Sequence, residues 1–162
     1  MSVQIPGDNT PLPKDQQKLV DTFFNNLGVT DEEDLNVVTT IDPNVLPPLD
    51  PTKVNFVVFG EGTPLSFTMN VDPLLTGITL APFSGKSVQA ESGITKIFGN
   101  KLDNLFFGND GKQVFKGAEG DDMLFGQGGA DTLIGGSGKD TVFGGKGDDL
   151  ISGGKGNDDL HG

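Results

Sequence analysis

With 162 residues, a net charge of −12 and no cysteine, the chain has room for one domain or two small ones and no means of cross-linking itself. The charge opposes binding to nucleic acid and to anionic membrane surfaces but suits divalent cations, and the missing thiols exclude disulfides, thiolate metal sites and cysteine nucleophiles. Eighteen of the 25 glycines lie from Gly99 onward, which divides an ordinary N-terminal part from a glycine-punctuated C-terminal part.

Residues 1–12 are expected to form an N-terminal arm. Met1 to Lys14 shows no basic patch followed by an apolar core, so no signal peptide is expected, and no stretch of the chain approaches the length of a membrane span. From Pro13 to Gly28 the spacing predicts a helix: Leu19, Val20, Phe23, Phe24 and Leu27 recur at intervals of three and four, and Gly28 is placed to cap the end. Such a stripe is expected to dock on the chain's own domain. Thr30-Asp31-Glu32-Glu33 fits a capping box, and a short second helix is expected there. It lacks the spacing of an EF-hand loop and is not a metal site.

Asp42 to Thr52 holds Pro43, Pro47, Pro48 and Pro51 and is expected to be an extended connection. Val54–Phe59 and Leu65–Val71 follow as strand patterns separated by Gly60 to Pro64, with Ile78–Ala81 and Lys86–Ala90 as weaker ones. Residues 13–98 are therefore expected to be a helix and β region that caps the domain beyond it.

That domain, residues 99–162, repeats every nine residues. Seven abutting copies start at Gly99, Gly108, Gly117, Gly126, Gly135, Gly144 and Gly153, and a fixed period of this kind marks a solenoid. The eighth position is always apolar: Phe106, Phe115, Leu124, Leu133, Val142, Ile151, Leu160. The sixth reads Asn104 and Gln113, then Asp122, Asp131, Asp140, Asp149 and Asp158. Glycines at positions one, two and four are expected to supply dihedrals forbidden to side chains and to turn carbonyls toward a common point. A three-residue strand then places one apolar side chain inward. Two copies make one coil of eighteen residues, so Asp122 should stack with Asp140, Asp140 with Asp158, and Asp131 with Asp149. Asn104 with Asp122 and Gln113 with Asp131 keep one carboxylate each, and weaker or empty sites are expected there. Carbonyl and carboxylate oxygens, about six to eight around an ion, are what calcium requires. About three well-formed calcium sites and up to two weaker ones are expected. Counting back by nines from Phe106 gives Ile97 and Val88, so calcium-free coils are expected to precede the repeats.

These nonapeptides resemble the RTX (repeat-in-toxin, hemolysin-type) calcium-binding repeat. Copies five to seven match its motif fully, Ala118 and Gln127 replace the second glycine in copies three and four, and Leu102 replaces the fourth-position glycine in the first. The resemblance implies a mainly β fold: a C-terminal parallel β-roll, the RTX solenoid, with a small N-terminal helix-plus-strands region. It also implies export of the unfolded chain through a type I secretion system. Calcium would be held by Asp122, Asp131, Asp140, Asp149 and Asp158 and by carbonyls of the glycine positions. Those are Gly117, Gly126, Gly135, Gly144 and Gly153 at position one, Gly136, Gly145 and Gly154 at position two, and Gly120, Gly129, Gly138, Gly147 and Gly156 at position four.

No catalytic residue is proposed. The lone histidine, His161, excludes an HExxH zinc protease, and neither a G-x-S-x-G elbow nor a phosphate-binding loop is present. Position nine of the odd-numbered copies reads Phe107, Phe125, Phe143 and His161, and residues eighteen apart stack at about 4.8 Å. The Pro13–Gly28 helix or the 54–90 strands are expected to cover this ladder; left bare, it would mediate contact with other copies of the chain. In the family an export signal follows the repeats, whereas here the sequence stops at the first residue of an eighth turn. It would then be a piece of a longer protein, or be completed by another molecule. The expectation is a secreted, extracellular or cell-surface protein, either a structural, self-assembling subunit or a non-assembling carrier or adhesion module.

Overall fold

A computed structural model describes residues 12–29, 34–40, 54–59, 66–68, 75–80 and 95–162. Among these residues it is mainly β, a solenoid of about four turns with one short N-terminal helix. The helix, α1, runs Lys14–Asn26, close to the span its apolar spacing predicts. It begins directly after Pro13, and Gly28 at φ +79° closes it. The Gly28 and Val29 amides donate to the carbonyls of Asn25 and Phe24, a Schellman closure that a residue with a Cβ adopts only at a cost.

Twelve strands follow among the described residues. Five precede the repeats: β1 (Leu35–Thr40), β2 (Val54–Phe59), β3 (Ser66–Thr68), β4 (Leu75–Leu80) and β5 (Thr95–Phe98). Seven belong to them: β6 (Leu105–Phe107), β7 (Gln113–Glu119), β8 (Met123–Gly128), β9 (Thr132–Ser137), β10 (Thr141–Lys146), β11 (Leu150–Lys155) and β12 (Asp159–His161). All pairings are parallel. One sheet has the order β1-β2-β4-β6-β8-β10-β12 and the other β11-β9-β7-β5-β3. From β2 onward successive strands alternate between the sheets, as a coil must. Within the repeats the register is eighteen residues throughout, with Leu124 opposite both Phe106 and Val142, and Leu133 opposite both Phe115 and Ile151. Ile97 pairs with Phe115 in that same register, so the coil begins before the glycine rule does.

Two features depart from the sequence expectations. A strand, β1, follows Asp34 where the short second helix was expected to run, because Val37-Val38-Thr39-Thr40 is a β-branched run that fits a pleated sheet better than a helix. Residues 30–33 themselves, the proline-rich connection at 42–52, Lys86–Ala90 and Val88 lie outside the described residues. Most strands in the repeats are also longer than three residues. In β8, β9, β10 and β11 the parallel ladder continues past the apolar triplet into the glycines of the next copy.

Two cores result. Between the sheets, Ile97, Phe106, Phe115, Leu124, Leu133 and Val142 are fully buried, with Phe106 and Phe115 meeting edge to face at 5.6 Å. Outside the first sheet, Phe107, Phe125, Phe143 and His161 form the expected ladder, with ring centroids 4.6, 5.1 and 4.3 Å apart and the planes within 6° of parallel. Helix α1 covers it. Val20, Phe23, Phe24 and Val29 pack against Leu105, Phe107, Met123 and Phe125, and Phe143 borders the same cluster. The ladder is thus internal at Phe107 and Phe125 and open at its His161 end. Phe24→Ala is expected to cost about 3–5 kcal/mol through the lost contacts and the cavity left, read as a lowered urea midpoint in saturating calcium.

Candidate metal-binding turns

The turns before β6, β8, β10 and β12 stack along one edge of the roll, and those before β7, β9 and β11 along the other. Position six makes the same contact each time. The Asp140 Oδ1 accepts the Asp122 amide at 2.9 Å, the Asp158 Oδ1 accepts the Asp140 amide at 3.0 Å, and the Asp149 Oδ1 accepts the Asp131 amide at 2.9 Å. In the first coil, Asp122 takes the Asn104 amide and Asp131 the Gln113 amide, each at 2.8 Å. All five pairs named from spacing are therefore neighbours.

The second carboxylate oxygen is different. The Oδ2 atoms of Asp122, Asp131 and Asp140 are buried and accept no hydrogen bond, a costly state for an anionic oxygen. Each lies against the position-one glycine of its own turn. A Cβ on Gly117 would overlap the Asp122 Oδ2 and come within 2.7 Å of the Gly135 carbonyl oxygen, and Gly126 stands likewise against Asp131 and the Gly144 carbonyl. Gly135, Gly144 and Gly153 crowd Asp140, Asp149 and Asp158 in the same way. Carbonyls of the neighbouring coil face the other glycines: Gly120 O faces Gly138, Gly129 O faces Gly147, Gly138 O faces Gly156, Gly136 O faces Gly154, and Gln127 O faces Gly145.

The glycines thus serve two purposes, where the sequence reading assigned them one. Positions two and four have positive φ, between 102° and 146° at Gly120, Gly129, Gly136, Gly138, Gly145, Gly147, Gly154 and Gly156, which glycine alone adopts freely. Position one does not. There glycine is needed for room beside the carboxylate. Ala118 and Gln127 hold position two at φ 97° and 77°, in the region that costs an L-residue roughly 1–2 kcal/mol.

Burial is the main cause of an upward pKa shift at these aspartates. It pushes the Asp122 carboxyl from 3.8 to about 8 and that of Asp131 to about 7, and raises Asp140 as well. The amide bond from the preceding coil opposes the shift; the next carboxylate in the stack, Asp140, Asp149 or Asp158 respectively, adds to it. Buried acceptor oxygens converge without donors, so the set fits a hard divalent cation. No group of three or more His, Asp or Glu side chains suited to a metal occurs among the described residues, so main-chain carbonyls would have to supply most of the ligands.

Glycine-spaced carboxylates stacked along a parallel roll define a calcium-binding β-solenoid. The sequence matches the family described as the RTX calcium-binding nonapeptide repeat (4 copies) over residues 107–142 and again over 134–162; the C-terminal region carries RTX repeats, as their resemblance implied. No curated protein and no solved structure matches the chain.

Spacing alone missed Asn100 and Asn109, which occupy position two in copies one and two. Their side-chain oxygens accept the Leu102 and Gly111 amides at 2.9 Å and also the side-chain amides of Asn104 and Gln113. The signal was present: asparagine stands at position two only where position six is an amide.

Two outcomes follow. Ala118→Gly and Gln127→Gly are each expected to stabilise the calcium-loaded roll by about 1 kcal/mol by relieving the positive-φ strain, seen as a higher urea midpoint. The raised carboxyls set a pH dependence in chelator. Their contribution to the metal-free fold is fully present below the ordinary value of 3.8 and is lost as pH rises through about 7 to 8. Circular dichroism in chelator is therefore expected to show more strand in mildly acidic than in alkaline buffer, while calcium affinity rises with pH as protons are displaced.

Proposed function

We propose that the chain is an extracellular calcium-binding protein whose repeat region folds as it takes up Ca2+ between stacked turns. The observation that carries this reading is the set of buried, donorless Oδ2 atoms on Asp122, Asp131 and Asp140. Without a cation these oxygens disfavour the folded state at neutral pH, and the entropy of so much glycine adds to the cost. With a cation, metal-binding free energy becomes folding free energy. Three ions are proposed, between Asp122 and Asp140, between Asp140 and Asp158, and between Asp131 and Asp149. Calcium supplies the charge that neutralises the carboxylates. The chain's own residues supply the oxygens and the spacing that holds them apart when the ion is absent.

The proposed setting is the cell exterior, where calcium is plentiful, and the proposed role is binding, without catalysis. No helix among the described residues is long and apolar enough to cross a membrane. Burial of Phe107 and Phe125 beneath α1 favours a non-assembling carrier or adhesion module, because the ring ladder is spent on internal packing. Exposed Leu150 and the Phe143–His161 stack, half-buried to exposed, support the second reading, a self-assembling surface, matrix or filament subunit.

A calcium titration followed by circular dichroism and light scattering on one sample tests both. Strand content is expected to rise cooperatively with calcium, with scattering unchanged; calcium-dependent polymers would establish the subunit reading instead. Asp140→Asn, which removes a carboxylate shared by two proposed sites, is expected to lower affinity by more than Asp149→Asn, which touches one. Full strand content in excess chelator at neutral pH with no calcium retained would overturn the proposal.

A further inference from the structure

We propose that the first repeat coil, copies one and two, is closed by side-chain amides in place of cations. It would then stay folded when calcium is withdrawn and serve as the platform from which the ion-dependent coils fold. This inference rests on the calcium reading for the coils beyond it.

Side-chain amides hydrogen-bond within both turns of this coil. On one edge, the Asn104 Nδ2 donates to the Asn100 Oδ1 at 3.0 Å while its Oδ1 accepts the Asn100 amide at 3.1 Å. On the other, the Gln113 Nε2 donates to the Asn109 Oδ1 at 2.8 Å, to the Asn109 carbonyl at 3.3 Å, and to the Gly111 carbonyl. A neutral NH2 group thus gives the acceptors of these turns a donor, whereas the Oδ2 atoms of Asp122, Asp131 and Asp140 in the following turns have none. Asn100 and Asn104 are buried, as is Gln113. The Gln113 Oε1 has no hydrogen-bond partner, but as an uncharged oxygen it lacks the penalty of a buried carboxylate.

A second, independent feature points the same way. Apolar burial is concentrated at this end of the roll. The inward residues run Ile97, Phe106, Phe115, then Leu124, Leu133, Val142, all fully buried, and finish with half-buried Ile151 and with Leu160 at 46 % exposure. Helix α1 packs on Leu105, Phe107, Met123 and Phe125 and leaves β10 only the flanking contact with Phe143. Strands β4 and β5 flank β6 and β7 on their N-terminal sides. The coil with amide-closed turns is therefore also the coil with the largest core and a neighbour on each side. The coils beyond it carry carboxylate turns over smaller inward residues, Leu124, Leu133 and Val142, and the roll ends on Ile151 and Leu160, which are only partly covered. Stability is supplied by packing at one end and by ions at the other, so calcium-driven folding runs from the packed end outward.

Hydrogen exchange with mass spectrometry on the full chain, in chelator and in calcium at neutral pH, tests this. In chelator, peptides covering α1 and residues 95–116 are expected to keep their protection, while residues 126–162 exchange as an unfolded chain does. Calcium is expected to extend protection to the rest. The double variant Asn104→Asp, Gln113→Asp exchanges amides for carboxylates. It is expected to lose the chelator-resistant protection of 95–116 and to bind more calcium per chain in native mass spectrometry than the parent. If the parent binds calcium but residues 95–116 exchange as fast as 126–162 in chelator, the platform is wrong and the calcium reading stands. If the variant keeps its protection in chelator and gains no ion, the amides are not what closes those turns. If the parent binds no calcium and the whole roll is protected in chelator, both readings fall together.

Discussion

Each position-six aspartate divides its two oxygens between two tasks, and the roll depends on that division. One oxygen accepts the amide of the preceding coil and sets the eighteen-residue register. The other, on Asp122, Asp131 and Asp140, is buried without a donor. The second is costly, because a charged oxygen buried without a donor calls for a proton or a cation. The register and the demand for a cation therefore come from the same side chain.

Much of this could be read from the chain because the information lies in residue identity at a fixed interval. The five position-six pairs, the inward apolar row and the Phe107 to His161 ladder all follow from counting, and α1 from its three-and-four spacing. What counting missed was local and steric. Position-one and position-two glycines look alike in a sequence, yet Gly117 is glycine for want of space beside Asp122 and Gly136 for its backbone dihedral. Asn100 and Asn109 resemble ordinary turn residues until their partners at Asn104 and Gln113 are seen. The strand at Leu35–Thr40 was obscured by an acidic run that also suits a helix start, a case where a β-branched run outweighs a capping signal. Strand length was underestimated because glycine is a poor strand former, whereas here its amide and carbonyl continue the ladder.

Helix α1 changes the meaning of the ring ladder. Four stacked rings on an open sheet face would be a surface for association, and without the helix they would read as one. With Phe23, Phe24 and Val20 laid across Phe107 and Phe125, most of that apolar area becomes a second core outside the solenoid. Cohesion on the outer face of the first sheet and the buried carboxylates at the turns are thus separate features of the same coils.

The parallel register limits how a roll of this kind can gain or lose length. Excising two copies together removes one rung from each sheet, and every remaining side chain keeps its face and its edge. Excising a single copy transposes the sheets downstream: Ile134 and Ser152 would replace the aromatic rings in the column beneath α1, and Asp131 would have to stack on the edge that Asp122 and Asp140 occupy. Duplication or loss of paired copies is the change this architecture absorbs, and a solitary one sets its two faces against each other.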